Sequence, residues 1–245
     1  MIDYLETGQG RRIAYSATAG QGPGVVFLGG FKSDMQGTKA VWLEEWARGA
    51  GRAFLRFDYS GHGDSSGRFE DGCIGDWLED ARAVIGAVTQ GPQVLVGSSM
   101  GGWIGLLLAR SMPQRVAGLV TIAAAPDFTQ QGFWAGFTEA QRQEVLDKGH
   151  IAIPSEYGDP YVITRKLIED GRDHLVMDQP LRLPFPVRML QGTADADVPV
   201  RWALDLLDHA KGEDVRLTLV KGADHRFSTP ECLSLIATAI EDVLA

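Results

Sequence analysis

A mostly parallel α/β sheet with helices on both faces and a small helical lid is the fold that the 245-residue sequence predicts. Three observations carry that expectation. Short apolar runs at residues 25–28, 94–96 and 116–122 lack the polar alternation of a half-exposed strand, as sheets covered on both faces require. Segments with helical spacing separate these runs, and regular strand–helix alternation from about residue 25 to 125 implies parallel strands joined by right-handed crossovers. Finally, in Gln93-Val94-Leu95-Val96-Gly97-Ser98-Ser99-Met100-Gly101-Gly102-Trp103 an apolar run meets small residues and passes at once into helical spacing: strand, sharp turn, helix.

Taken in order, residues 3–7 and 11–17 alternate moderately about Gly8-Gln9-Gly10, which predicts an opening hairpin. The run at 25–28 ends in Gly29-Gly30. Val41, Leu43, Trp46 and Ala47 mark a helix over 38–50, and residues 53–57 form the next strand. Trp77, Leu78, Ala81, Val84, Ile85 and Val88 recur at helical intervals over 74–88. Past the strand at 116–122 the rhythm breaks. Residues 126–184 hold no convincing buried strand, only helical patterns at 139–148 and 161–169 and the aromatics Phe128, Phe133, Trp134, Phe137, Tyr157 and Tyr161. Inserted helices over the sheet account for this, so residues 1–245 are expected to form one domain with a helical lid at about 126–184. Those aromatics either line a pocket or pack the lid down. Alternation resumes with strands at 187–190 and 215–220 and helices over about 200–210 and 230–244.

Composition bounds the functions available. Hydrophobic residues at 44% and charged residues at 22% fit a globular chain, which excludes disordered and fibrous classes. A net charge of −9 argues against nucleic acid or an anionic membrane surface as partner, because no basic face is available to meet phosphates. Cys73 and Cys232 have no metal-ligand spacing and read as buried thiols of a reducing compartment. The first residues lack signal- and transit-peptide patterns, and no apolar run approaches the roughly 20 residues that span a bilayer. A soluble, cytoplasmic protein without a membrane anchor is expected.

Gly97-Ser98-Ser99-Met100-Gly101 fits G-x-S-x-G, which holds a serine hydroxyl at the end of a strand. The pattern alone is weak, since Gly63-Asp64-Ser65-Ser66-Gly67 fits it too. Ser65 lies well beyond its strand and runs into charged residues, so it reads as a polar turn. Context selects Ser99 as nucleophile. A serine hydroxyl needs a base, and the base needs an orienting acid. Both are expected later in the chain. His62, His150 and His174 precede the final strands, and His209 falls within a helix; His225 lies in a loop just after a strand, at the sheet end where Ser99 emerges. For the acid, Asp195 stands three residues after the Gly192 turn. Asp197 adjoins a helix start and reads as a cap or supporting group, and Asp224 sits beside the histidine, from where a side chain usually points elsewhere. Two backbone N–H groups should receive the oxyanion: that of Met100, at a helix N-terminus, and that of Phe31, in Gly29-Gly30-Phe31-Lys32-Ser33-Asp34. The alternative for the latter stretch is a plain strand-to-helix turn.

With these pieces in order, the chain resembles the α/β-hydrolase superfamily along nearly its whole length. Residues 57–65 look like its D-x-x-G-x-G-x-S turn, residues 192–199 its G-x-x-D-x-x-V-P acid loop, and residues 222–227 its G-x-x-H-x-F histidine loop. These matches choose Asp195 and His225 again. Gly37-Thr38-Lys39-Ala40, Arg56-Phe57-Asp58-Tyr59-Ser60-Gly61, residues 91–103, Asp224-His225-Arg226 and Pro154-Ser155-Glu156-Tyr157 are further similar to the mitochondrial palmitoyl-protein thioesterases that also act as acyl-glucuronide esterases. That resemblance implies a serine hydrolase of acyl esters or thioesters. Its substrate would be a small molecule or an S-acylated protein, its intermediate an acyl-enzyme, and it would need no metal or organic cofactor. A carbon–carbon or amide hydrolase using the same Ser99, Asp195 and His225 is one alternative. A ligand-binding module of the same fold without catalysis is another.

Overall fold

A computed structural model describes residues 2–154 and 160–245. The chain opens with β1 (Asp3–Glu6), β2 (Arg12–Thr18) and β3 (Gln21–Leu28), then α1 (Thr38–Gly49), β4 (Arg52–Phe57) and α2 (Ile74–Val88). Next come β5 (Gln93–Ser98), α3 (Met100–Ser111) and β6 (Val116–Ile122). The segment that follows carries a π-helical stretch at Thr129–Trp134, α4 (Glu139–Lys148), β7 (His150–Ile153), β8 (Tyr161–Thr164), α5 (Arg165–Asp173) and β9 (Leu181–Arg182). The closing elements are β10 (Val187–Gly192), α6 (Val200–His209), β11 (Ala210–Lys211), β12 (Val215–Val220) and α7 (Pro230–Leu244).

Eight strands form one sheet in the order β1-β2-β4-β3-β5-β6-β10-β12, antiparallel at β1, β2 and β4 and parallel from β4 onward. Its central strands are covered on both faces because alternate side chains serve two cores. Val25, Phe27, Val94, Val96, Val120 and Ile122 pack with α1 and α7, whereas Val26, Leu28, Leu95 and Leu119 pack with α2 and α3. The loops that leave β3, β5, β10 and β12 all emerge at the carboxyl edge, where open α/β sheets place their sites.

The insertion is less helical than its sequence indicates. Tyr161 to Thr164 begins as a strand, β8, which pairs antiparallel with β7 so that Ile151 lies opposite Ile163, both buried. The helix starts only after Thr164, whose side chain accepts the Leu167 N–H as a cap. β9 and β11 form a separate two-residue pairing. Ser155, Glu156 and Tyr157, which entered the lid resemblance, lie outside the described residues. Asp127, buried at φ +56°, fastens the insertion at its root: its carboxylate accepts the Val176 and Met177 N–H groups at 2.9 and 3.0 Å. Trp103 of α3 adds an indole N–H to the His174 carbonyl.

One buried ion pair steadies the loop after β3. Arg56, at the end of β4, donates to Glu44 of α1 at 2.8 Å and to the Met35 carbonyl at 2.7 Å. Glu44 also accepts from Ser16, Thr18 and Arg48. Burial alone would raise the Glu44 pKa, but the Thr18 and Arg56 hydrogen bonds outweigh it and hold the carboxyl below its usual range. Glu44→Ala strands a buried guanidinium, so unfolding in urea is expected to show a loss of about 3 kcal/mol.

Candidate active site

The site begins where β5 turns into α3. Ser99 takes φ +54° and ψ −117°, a conformation that costs a non-glycine residue roughly 1–3 kcal/mol and persists only when its surroundings dictate it. Those surroundings are backbone. A Cβ on Gly101 would stand 2.0 Å from the Leu28 carbonyl oxygen, and one on Gly97 would stand 2.3 Å from the Gly101 oxygen. The helix therefore lies directly against the strands, and the turn between them has no slack. The Ser99 N–H donates to the Ile122 carbonyl at 2.9 Å, which fixes the elbow to β6.

Two loops bring polar groups to the Ser99 hydroxyl. His225, after β12, places Nε2 3.2 Å from Ser99 Oγ and Nδ1 2.9 Å from Asp195 Oδ2. Because the Asp195 carboxylate accepts, the Nδ1–H tautomer satisfies both contacts and leaves Nε2 free to take a proton. Asp195, after β10, is fully shielded from solvent at its side chain and is saturated with donors. Gln191 reaches Oδ2 at 2.9 Å, and the Asp197 and Val198 N–H groups reach Oδ1 at 2.9 and 2.8 Å. Burial pushes its pKa up, yet His225, Val198 and Gln191 together bring it below the ordinary carboxylate range.

Of the residues weighed against these, Ser65, Asp224 and His209 make other contacts. Ser65 donates its hydroxyl to the Asp58 carbonyl and accepts the Ala14 N–H, so it is a tie between two turns. Asp224 accepts the Phe227 N–H within its own turn. His209 bonds the Val176 and Gln179 carbonyls, pinning α6 to the insertion. Asp195, Asp197 and His225 bring potential metal-ligand atoms within 4.8 Å of one another. Both Asp195 oxygens are already spent on hydrogen bonds, so the cluster is accounted for without an ion.

A cavity of about 460 Å³ opens over Ser99 and His225, with Phe31 and Met100 also in its wall. The Gly29–Lys32 turn lies close beside the elbow, since a Cβ on Gly30 would sit 3.5 Å from that of Ser99. Phe31 joins five rings edge-on: Phe69, Trp77, Phe128, Phe133 and Tyr161, at centroid distances of 4.8 to 6.0 Å. The insertion's aromatics divide between the two roles open to them. Phe128, Phe133 and Tyr161 face the cavity, Phe137 stacks behind Phe133, and Trp134 receives the Arg142 and Arg172 guanidiniums.

Two features have little signature in the sequence. Lys39, at the start of α1, lines the cavity and donates to the Arg226 carbonyl beside His225; burial pushes its pKa down to about 8, with Asp224 opposing. His62 is buried and its pKa is pushed down to about 4 by desolvation, against the raising influence of the Ser60 carbonyl and Asp34.

This layout, a strained serine at a strand–helix elbow with a histidine and an acid from later loops, defines a class, and the chain belongs to the α/β-hydrolase fold family, whose model matches residues 25–212. Among its relatives, the rat mitochondrial palmitoyl-protein thioesterase ABHD10 is 35% identical over 245 residues, covering 99% of this chain and 82% of that protein. The human protein of the same name is 35% identical over 234 residues, or 95% of this chain and 76% of its own. Among solved structures, a putative hydrolase from Agrobacterium vitis S4 superposes with a TM-score of 0.96 at 41% identity, covering 100% of this chain and 99% of that one. Mouse alpha/beta hydrolase domain-containing protein 10 superposes with a TM-score of 0.92 at 33% identity, covering 100% and 98%.

Two outcomes follow from this geometry. Gly101→Ala should cost at least about 3 kcal/mol in unfolding free energy, because its clash is with immovable backbone. Gly86→Ala, at an exposed position of α2 where the added Cβ meets nothing within 4 Å, should instead stabilise by roughly 0.5–1 kcal/mol in the same titration. Second, His62 stays neutral in the fold down to about pH 4, whereas an unfolded histidine protonates near 6.5. The unfolded state then binds the extra proton, so stability falls as pH drops from 6.5 toward 4, by about 3 kcal/mol from this group. Urea midpoints of wild type and His62→Asn across that window isolate the contribution.

Proposed function

We propose that this chain is a serine hydrolase that cleaves acyl esters and thioesters through an acyl-enzyme intermediate. The observation that carries the reading is the continuous line from Ser99 Oγ through the His225 ring to a buried, donor-saturated Asp195 carboxylate, opening on a cavity with Phe31, Phe128, Phe133 and Tyr161 in its wall. Relatives named palmitoyl-protein thioesterase support the ester and thioester class.

In the first half-reaction, His225 Nε2 takes the Ser99 proton as Oγ attacks the acyl carbonyl. The Phe31 and Met100 N–H groups receive the oxyanion, an interaction that strengthens as charge develops and that is worth about 10²–10³ in rate per donor. The imidazolium is stabilised by Asp195 and gives its proton to the departing alcohol or thiol. Water then enters, His225 deprotonates it, and attack on the acyl-enzyme releases the acid and restores Ser99. Phe128, Phe133 and Tyr161 form the acyl side of the cavity, which favours an apolar acyl group over a polar one. The same aromatic wall suits the fatty acyl chain of an S-acylated protein, so that substrate and acyl glucuronides belong with simple esters in the test.

Ser99→Ala should lower kcat on a nitrophenyl ester by roughly 10⁴-fold or more, and Asp195→Asn by about 10⁴-fold through loss of the correct imidazole tautomer. Undiminished turnover by Ser99→Ala would remove the assignment. A series of acyl-chain lengths, run beside thioesters and acyl glucuronides, should show kcat/KM rising with chain length, and Phe133→Ala should shift that optimum.

A further inference from the structure

We propose that His62 is a positioning residue for this reaction: its unprotonated Nε2 accepts the Lys32 N–H and thereby holds the turn that aims the Phe31 N–H at the oxyanion. The inference builds on the serine-hydrolase reading above. It begins from a gap in that mechanism, which uses His225 and leaves a second buried histidine beside the same turn unassigned.

The turn needs to be held. Lys32 adopts φ +58°, a backbone state that a side-chain-bearing residue keeps only under constraint. The amide plane that carries the Phe31 N–H also carries the Gly30 carbonyl, and in a trans peptide the two point in opposite directions. That carbonyl accepts from Ser33 N at 3.2 Å and Ser33 Oγ at 2.8 Å, which sets one plane. The next plane carries the Lys32 N–H, and its partner is His62 Nε2 at 3.2 Å. With both planes fixed, rotation of the Phe31 N–H away from the cavity is blocked from either side.

The ring can play this part in only one form. His62 Nδ1 lies 3.2 Å from the Ser60 carbonyl oxygen, which can only accept, so Nδ1 carries the proton and Nε2 is the acceptor. Protonation would place a second donor against the Lys32 N–H. Several contacts maintain the neutral form. Tyr59, Phe69 and Trp77 surround the imidazole at centroid distances of 5.6, 5.1 and 5.2 Å. Asp34 acts on it electrostatically in the opposite sense, favouring protonation, and burial among these rings outweighs it. Ser60 is itself fixed, because its N–H and Oγ both donate to Asp80, which is paired with Arg11, and Trp77 Nε1 adds a donor to its carbonyl. A rigid line of contacts thus runs from the Arg11–Asp80 pair through Ser60 and His62 to the turn beside Ser99.

Two near-isosteric variants separate positioning from mere packing. His62→Asn keeps a donor to the Ser60 carbonyl but cannot reach Lys32, whereas His62→Gln can place an acceptor where Nε2 stood. The expected result is a kcat loss of about 10–100-fold in the Asn variant with KM within about threefold, and recovery of most of that loss in the Gln variant. Long-range ¹H–¹⁵N spectra of the wild type should show the Nδ1–H tautomer, neutral at pH 7. Hydrogen exchange at the Lys32 amide should accelerate in His62→Asn. Wild-type kcat in His62→Asn, an Nε2–H or charged ring, or equal losses in both variants that track their melting temperatures would each overturn the proposal. Unchanged turnover in Ser99→Ala is a different failure: it removes the serine chemistry, and the role in it, even if the tautomer and the Lys32 exchange behave as stated.

Discussion

The contact between α3 and the strands beneath it governs the rest of the molecule. Gly101 packs on the Leu28 carbonyl at a distance that excludes even a methyl group, and Gly97 packs on Gly101. With no room to relax the turn, the residue between them must take a positive φ, and its side chain is forced out over the end of the sheet. The strain is local, but its support is distributed: α3 is buried almost throughout its length between the sheet, α2 and the insertion. A hydroxyl held so firmly is met by His225 and, behind it, Asp195, because β10 and β12 end on the same edge as β5.

Electrostatically, the site is arranged by saturation. A shielded carboxylate is costly unless donors surround it, and Asp195 has Gln191, two backbone N–H groups and His225. These donors hold its pKa below the ordinary carboxylate range, as the proposed role of orienting the His225 ring requires. The insertion handles its own buried acid by the same means, for Asp127 accepts two N–H groups from the far end of that segment, although there burial prevails and the carboxyl is raised above its usual pKa.

Much of this was legible in the sequence, for identifiable reasons. The β5–α3 elbow reads directly because a parallel strand, a glycine-flanked serine and a helix leave a dense local signature, and chain order then picks out Asp195 and His225. Ser65 could be set aside by its distance from a strand, and its hydrogen bonds to Asp58 and Ala14 give that exclusion a physical content. The insertion was harder. Tyr161-Val162-Ile163-Thr164 is an aromatic followed by three β-branched residues, a strand composition, but it runs straight into α5, so helical periodicity starts four residues too early in the sequence pattern; the capping Thr164 marks the true boundary. His62 was invisible as a functional residue, because its value lies in a partner 30 positions away and in a tautomer, neither of which leaves a trace in local pattern.

The glycine-rich turn after β4 shows how the second, false serine motif belongs to the first. Asp58 accepts the Met35 N–H at 2.6 Å and the Asp64 N–H at 2.9 Å, while Ser65 and Ser66 accept the Ala14 and Arg12 N–H groups of β2. The turn therefore joins the opening hairpin to the loop after β3, and His62 at its apex reaches that loop directly. Gly63 must be a glycine here, because it has φ +45° and any Cβ would lie 2.1 Å from the Asp58 carboxylate that the turn wraps. The G-x-S-x-G pattern thus occurs twice for two different physical reasons. At Ser99 the glycines let a helix press on a strand and force a side chain outward; at Ser65 they let a backbone close around a carboxylate and turn its serine inward. The second turn braces the loop that stands beside the serine of the first.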